Sequence, residues 1–233
     1  MKSSILNLIL SGTAVIFILL CGCGKKQSQE AAEPARVLHT TTGGKINTLD
    51  PALCADLTSA NMVGELYDTL LEYNYTVRPY RLQPSMLEKM PEVSEDMKCY
   101  RFHLRDDLYF QSDKCFGYDS KGKPKKRKIT AKDAVFSILR LADERLHSPG
   151  YWLIRGKIKS IGQFRKATSK LQNNDFSIYD NGCDGIKIVD ENTFEIILEK
   201  PDPRFLTDLQ CRICPLYHEK RLKCTARISQ NTL

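Results

Sequence analysis

The chain has 233 residues, of which 42% are hydrophobic, 27% charged and 9% aromatic. That is enough apolar surface for the core of one large domain or two small ones, and it excludes collagen, a disulfide miniprotein and a wholly disordered chain. The 35 basic and 28 acidic residues leave a net charge of +7, but six of the positives (Lys121, Lys123, Lys125, Lys126, Arg127 and Lys128) fall in one eight-residue run. The excess is therefore local rather than a broad nucleic-acid-binding face. Only residues 5–20 are apolar enough to matter to a bilayer, which excludes a multi-pass membrane protein.

At the N-terminus, Lys2 precedes that greasy stretch, and Leu20-Cys21-Gly22-Cys23 supplies small residues immediately before polar sequence. This is the pattern of an export signal. Leu20-x-Gly22-Cys23 resembles the bacterial lipoprotein box, which implies a signal peptide over residues 1–22 and lipidation at Cys23. Cys23 fits better than Cys21 because Gly22 precedes it. An uncleaved anchor helix is the other reading, and Lys25 and Lys26 just beyond the apolar run weigh against it. Residues 23–35 lack apolar periodicity and are expected to be a flexible, lipid-anchored tether. The soluble part then works outside the cytoplasm. Residues 121–128 (KGKPKKRK), which alone resemble a nuclear-localisation or nucleic-acid patch, become a solvated surface loop or a contact for anionic lipid heads.

In the body, residues 36–41 form a short strand candidate ending at Gly43-Gly44. Met62, Val63, Leu66, Tyr67, Leu70 and Leu71 recur at helical spacing behind Thr58 and Ser59, which predicts an amphipathic helix capped by those hydroxyls. Tyr100, Phe102 and Leu104 alternate with Arg101, His103 and Arg105, the pattern of a half-buried strand. Thr130-x-x-Asp133 has the form of a capping box, and Ala131, Ala134, Val135, Ile138, Leu139 and Ala142 continue it as a helical stripe until Ser148-Pro149-Gly150. Residues 186–189 and 193–198, joined by Asp190-Glu191-Asn192, predict a β-hairpin with Phe194, Ile196 and Leu198 on its apolar face.

Chemistry-bearing patterns are sparse. The four histidines lack a diagnostic neighbour, with no HExxH, no G-x-S-x-G and no phosphate-binding glycine loop. No pattern in the sequence points to catalysis, and no cofactor is implied. Nine cysteines less Cys21 and Cys23 leave seven, an odd number that cannot all pair within one molecule. Cys211, Cys214, His218 and Cys224 superficially resemble a zinc knuckle, but the spacing is imperfect. An exported location also favours disulfides or an unstructured tail over zinc.

Five segments line up in order with one family. Thr48-Leu49-Asp50-Pro51, Gly64-Glu65-Leu66-Tyr67-Asp68-Thr69-Leu70-Leu71, Tyr100-Arg101-Phe102-His103-Leu104-Arg105-Asp106-Asp107, Ile129-Thr130-Ala131-Lys132-Asp133-Ala134-Val135-Phe136-Ser137 and Ile188-Val189-Asp190-Glu191-Asn192-Thr193-Phe194-Glu195-Ile196 resemble successive segments of the family 5 extracellular solute-binding proteins. These are the peptide-binding components of ABC importers.

The resemblance implies an α/β fold, the N-terminal lobe of a two-lobed periplasmic-binding-protein-like (class II) architecture, over residues 36–208. It implies a non-enzymatic role: capturing a peptide or another small solute outside the membrane for import. The partners would be the permease subunits of an ABC transporter and, through the N-terminal lipid, a membrane; nucleic acid is not among them. The protein would sit in the cell envelope, facing the periplasm or the extracellular side. By position, Ala55, Asp56 and Leu57 would run along a bound ligand, and Tyr151 and Trp152 would approach it. The plainer alternatives are that Asp56 precedes a helix and that the two aromatics are core.

Two departures stand out. Residues 115–128 form a longer, basic insertion expected to decorate the surface. The resemblance also fades from residue 209, where 25 residues hold five Lys or Arg, one acid and three Cys. The expectation is a truncated first lobe with a divergent tail over residues 209–233, read as a frameshift that places the tail outside the original reading frame; the less drastic reading is a fragment with a divergent end. The competing readings are a non-binding remnant, or a small lipoprotein whose tail has a metal-binding or structural role.

Overall fold

The computed structural model describes His39, Thr41 and residues 43–172 and 175–210. The expected signal peptide, tether and strand over residues 36–41, together with Cys23, Cys211, Cys214, His218 and Cys224, lie outside or almost wholly outside the described residues.

Helix α1, Leu57–Leu66, begins two to three residues earlier than caps at Thr58 or Ser59 predict. Its cap is Asp56, whose Oδ1 accepts the Ser59 N–H at 2.8 Å. Ser59 instead faces the preceding segment, its buried hydroxyl accepting from the Asn47 and Thr48 N–H groups. The helix stops at Tyr67, which has extended backbone angles. Leu70 and Leu71 are buried as expected, but outside the helix: Leu71 opens strand β1, Leu71–Asn74, which pairs antiparallel with β2, Arg81–Pro84. Two adjacent leucines satisfy a helical stripe or the start of a strand equally well, and pairing with residues 81–84 selects the strand.

Strands β3, Glu92–Val93, and β4, Cys99–His103, belong to the central sheet. A small ladder joins β5, Tyr109–Phe110, to β6, Arg127–Lys128. Helix α2, Ala131–Ala142, follows the predicted capping box, with the Thr130 N–H donating to Asp133 Oδ2 at 2.9 Å. Every residue of α2 except Lys132 is buried, so the helix is enclosed on all sides rather than along one stripe. It ends at Ala142, ahead of the predicted Ser-Pro-Gly stop. Asp143 there adopts extended angles and caps the short 3-10 turn Glu144–Leu146.

After a second 3-10 turn, Pro149–Leu153, come α3, Ile161–Thr168, and α4, Ser177–Asn181. The predicted hairpin is present as β7, Ile186–Ile188, and β8, Thr193–Ile197. A final short helix, α5, spans Phe205–Leu209.

The central sheet is antiparallel, in the order β3-β4-β8-β7. Alternation on β4 places Tyr100 and Phe102 inward; Phe102 stacks on Phe194 of β8 with ring centroids 4.8 Å apart and planes 7° apart. On the outer face, Arg101 pairs with Glu195 across the strands. The sheet's apolar face and α2 share one core, which Phe205 of α5 extends by packing on Tyr100.

Candidate functional site

The segment that leads into α1 is held from below by α2. Arg140, 2% exposed on the side chain, donates from Nη1 to Asp50 Oδ1 at 2.9 Å and from Nη2 to Asp50 Oδ2 at 2.7 Å. The same Asp50 Oδ1 accepts the Ala52 N–H and so opens the 3-10 turn Pro51–Leu53, where Pro51 fits because its missing N–H would have no helical partner. Pro51 and Ala52 are buried beneath the turn.

Beyond this turn the chain runs extended, with Cys54 at φ −73°, ψ 119° and Asp56 at φ −116°, ψ 155°. Ala55 between them is exposed, and among the described residues its N–H and C=O form no hydrogen bond. Asp56 is held at both oxygens, by the Ser59 N–H and by Asn47 Nδ2 at 3.1 Å. These bonds, the Ser59 N–H foremost, keep its carboxyl below the ordinary aspartate value. Leu57, at the first helical position, is 77% exposed.

The structure brings the other two sequence-predicted residues to the same region. The turn Pro149–Leu153 lies against Pro51–Leu53, and both contact α2. Ser148 caps it by accepting the Gly150 N–H, and Gly150 and Leu153 bury beneath it. Tyr151 is partly buried, with the Arg165 guanidinium 4.1 Å above its ring. Trp152 is 61% exposed and therefore not core. The plain alternative raised for Asp56 is realised in its cap, which does not conflict with a place beside a ligand.

Sequence reasoning missed Arg140. Its one signal was a cation on an otherwise apolar helix pattern, in a chain carrying an Asp before the Pro51 turn. It also missed a cleft of about 170 Å3 at the opposite end of α1, lined by Tyr67, Asp68, Glu72, Tyr73 and Tyr75 among others. None of the predicted site residues lines it. No group of three or more potential metal ligands occurs among the described residues, where Cys54, Cys99, Cys115 and Cys183 are thiols.

With the fold in place, the chain can be set beside known proteins. It is 31% identical over 173 residues to the peptide transport periplasmic protein SapA of Salmonella typhimurium, covering 71% of this chain and 26% of that protein. It is 29% identical over 174 residues to the periplasmic oligopeptide-binding protein OppA of the same organism, covering 73% and 26%. The chain thus spans about a quarter of the length of these curated relatives. Among solved structures, the substrate-binding domain of an oligopeptide ABC transporter from Bacillus anthracis str. Ames superposes with a TM-score of 0.57 at 26% identity, over 79% of this chain and 30% of that one. The architecture is that of the periplasmic binding proteins over the part of their fold that the chain covers. Residues 81–228 match the model of the bacterial extracellular solute-binding proteins, family 5 Middle, and the chain belongs to that family.

Proposed function

We propose that this chain acts as the substrate-binding component of an ABC importer, capturing peptides outside the cytoplasmic membrane, to which it is lipid-anchored through Cys23. The observation that carries the reading is the extended stretch of residues 54–56, whose exposed central residue, Ala55, has both backbone hydrogen-bonding groups open among the described residues. A peptide main chain can pair with such an edge as an added strand, which fixes orientation without reading side chains. Ala55, Asp56 and Leu57 run along the ligand in this reading, and Tyr151 and Trp152 form an aromatic wall beside it. Family membership and the names of the relatives, which are peptide-transport and oligopeptide-binding proteins, support the substrate class.

The test is isothermal titration of the protein, shown to be folded by circular dichroism, with a mixed library of di- to pentapeptides. Saturable binding that weakens in Trp152→Ala is the expected result. A folded protein that binds no peptide overturns the reading and makes the chain a non-binding remnant of the family. Lipidation is tested separately, by incorporation of labelled fatty acid that Cys23→Ser abolishes.

A further inference from the structure

The run of six cations is a single feature in the sequence, but the structure divides it in two. Arg127 donates from Nη1 to both oxygens of Asp133, at 3.0 and 2.8 Å, and Lys128 Nζ lies 3.6 Å from Asp106. Both residues are half-buried on β6, paired with Tyr109 and Phe110, and belong to the scaffold. Lys121, Lys123, Lys125 and Lys126 are different. All four are exposed, and none has a carboxylate within ion-pair distance among the described residues.

These four ammonium groups are carried on a built hairpin rather than a loose loop. The Asp119 N–H donates to the Lys123 carbonyl, Tyr118 bridges to Pro124, and the Lys125 N–H donates to the Gly117 carbonyl. Gly122, at φ +74°, makes the reversal that an L side chain would resist. Asp119 is the acid nearest the four lysines in sequence, and its Oδ1 accepts the Lys121 and Lys123 N–H groups at 2.8 and 2.9 Å. Its carboxylate thus organises the turn instead of pairing with a lysine side chain. An open concavity lies among Ser112, Asp119 and residues 123–126, and Tyr118 stands 52% exposed on the same hairpin. Clustered unpaired lysines beside an exposed tyrosine are the side-chain chemistry that settles at a membrane-water boundary: the ammonium groups meet phosphates and the ring meets the headgroup layer.

We infer that the hairpin over residues 117–126 docks on the anionic phospholipid surface of the membrane outside which the chain works. The inference does not depend on peptide binding; it rests on the charge of this hairpin and on a family whose members are extracellular.

The test measures co-sedimentation of the full chain with phosphatidylcholine vesicles, with and without phosphatidylglycerol. The apolar N-terminal stretch contributes to both vesicle types, so the readout is the increment that phosphatidylglycerol adds. Expected is an increment of up to about a thousandfold in apparent affinity at low salt, suppressed at high salt. It is lost in K121Q/K123Q/K125Q/K126Q, roughly halved on a logarithmic scale in K125Q/K126Q, and kept in K45Q/K166Q/K170Q/K187Q, which removes the same charge from exposed lysines elsewhere. Equal loss in both quadruple variants, or loss in neither, overturns the inference. Displacement by inorganic phosphate at constant ionic strength also overturns it, since that result identifies a pocket for free phosphate rather than a membrane surface.

Discussion

Arg140 and Asp50 stand 90 residues apart in the chain and meet through two parallel hydrogen bonds, Nη1 to Oδ1 and Nη2 to Oδ2. The pair couples the enclosed helix α2 to the turn that presents residues 54–57, so the rigidity of the core is passed to the candidate ligand edge. Removing one partner strands a charge out of water, which costs more than the pair itself contributes. Arg140→Met and Asp50→Asn are each expected to lower unfolding stability by about 3 kcal/mol in urea titration. The double variant is expected to lose less than the sum, the signature of direct coupling. Additive losses would show that the two residues act separately.

At the start of α1, Asp56→Ala removes the acceptor for the Ser59 N–H. Its carboxyl is held below 3.8, first by that bond and then by Asn47. A depressed folded value means that its contribution is complete above 3.8 and disappears as pH falls through the lower folded value. Thermal unfolding should therefore show Asp56→Ala melting a few degrees below the parent chain at neutral pH. The gap should close in strong acid; a gap that persists there would count against the cap.

Gly185 sits where a Cβ would come 2.3 Å from the Lys159 carbonyl oxygen and 2.7 Å from its amide nitrogen. Its own carbonyl accepts the Ile197 N–H at 2.7 Å, fixing the edge of the hairpin. Backbone cannot yield as a flexible side chain can. Gly185→Ala is expected to cost about 2 kcal/mol or more by denaturant unfolding, whereas Gly162→Ala, with open space at its Cβ, should leave stability unimpaired or improved.

Tyr179 donates its hydroxyl to Asp143 Oδ2 at 2.7 Å, and Arg145 clasps the same carboxylate from Nε and Nη2. Burial alone would raise the Asp143 pKa, but the hydrogen bonds from Arg145 and Tyr179 outweigh it and hold the group below its ordinary value. Burial, followed by the bond to Asp143, pushes the Tyr179 phenol far upward. Tyr179→Phe should cost about 2 kcal/mol at neutral pH. It should also move the acid-unfolding midpoint to higher pH, because Asp143, less well stabilised as an anion, is protonated sooner as pH falls. An unchanged midpoint would show that Arg145 alone holds the carboxylate.

Local pattern alone determined much of this molecule. Alternation of Tyr100, Phe102 and Leu104 specified β4 and its buried face. Thr130 and Asp133 specified where α2 begins, and Asp190-Glu191-Asn192 specified the β7-β8 reversal, because each depends on contacts within a few residues. The ordered motifs carried the family as well.

Tertiary structure decided the rest. Leu70 and Leu71 leave the helical stripe because a strand ten residues further on supplies pairing partners. Helix α2 stops at Ala142 because Asp143 finds partners in Arg145 and Tyr179. The site followed the same division: residues 55–57 and 151–152 could be singled out one by one, but the approach of the turns Pro51–Leu53 and Pro149–Leu153 beside them, and the Arg140 clamp, arise from packing on one helix. The lysine run likewise has one identity in sequence and two in space, since only folding brings Asp133 and Asp106 to Arg127 and Lys128 and leaves the four lysines of the hairpin open. Periodicity and turn chemistry act over a few residues and are written in order along the chain. Which distant charge or strand meets which is set by the closure of the whole core.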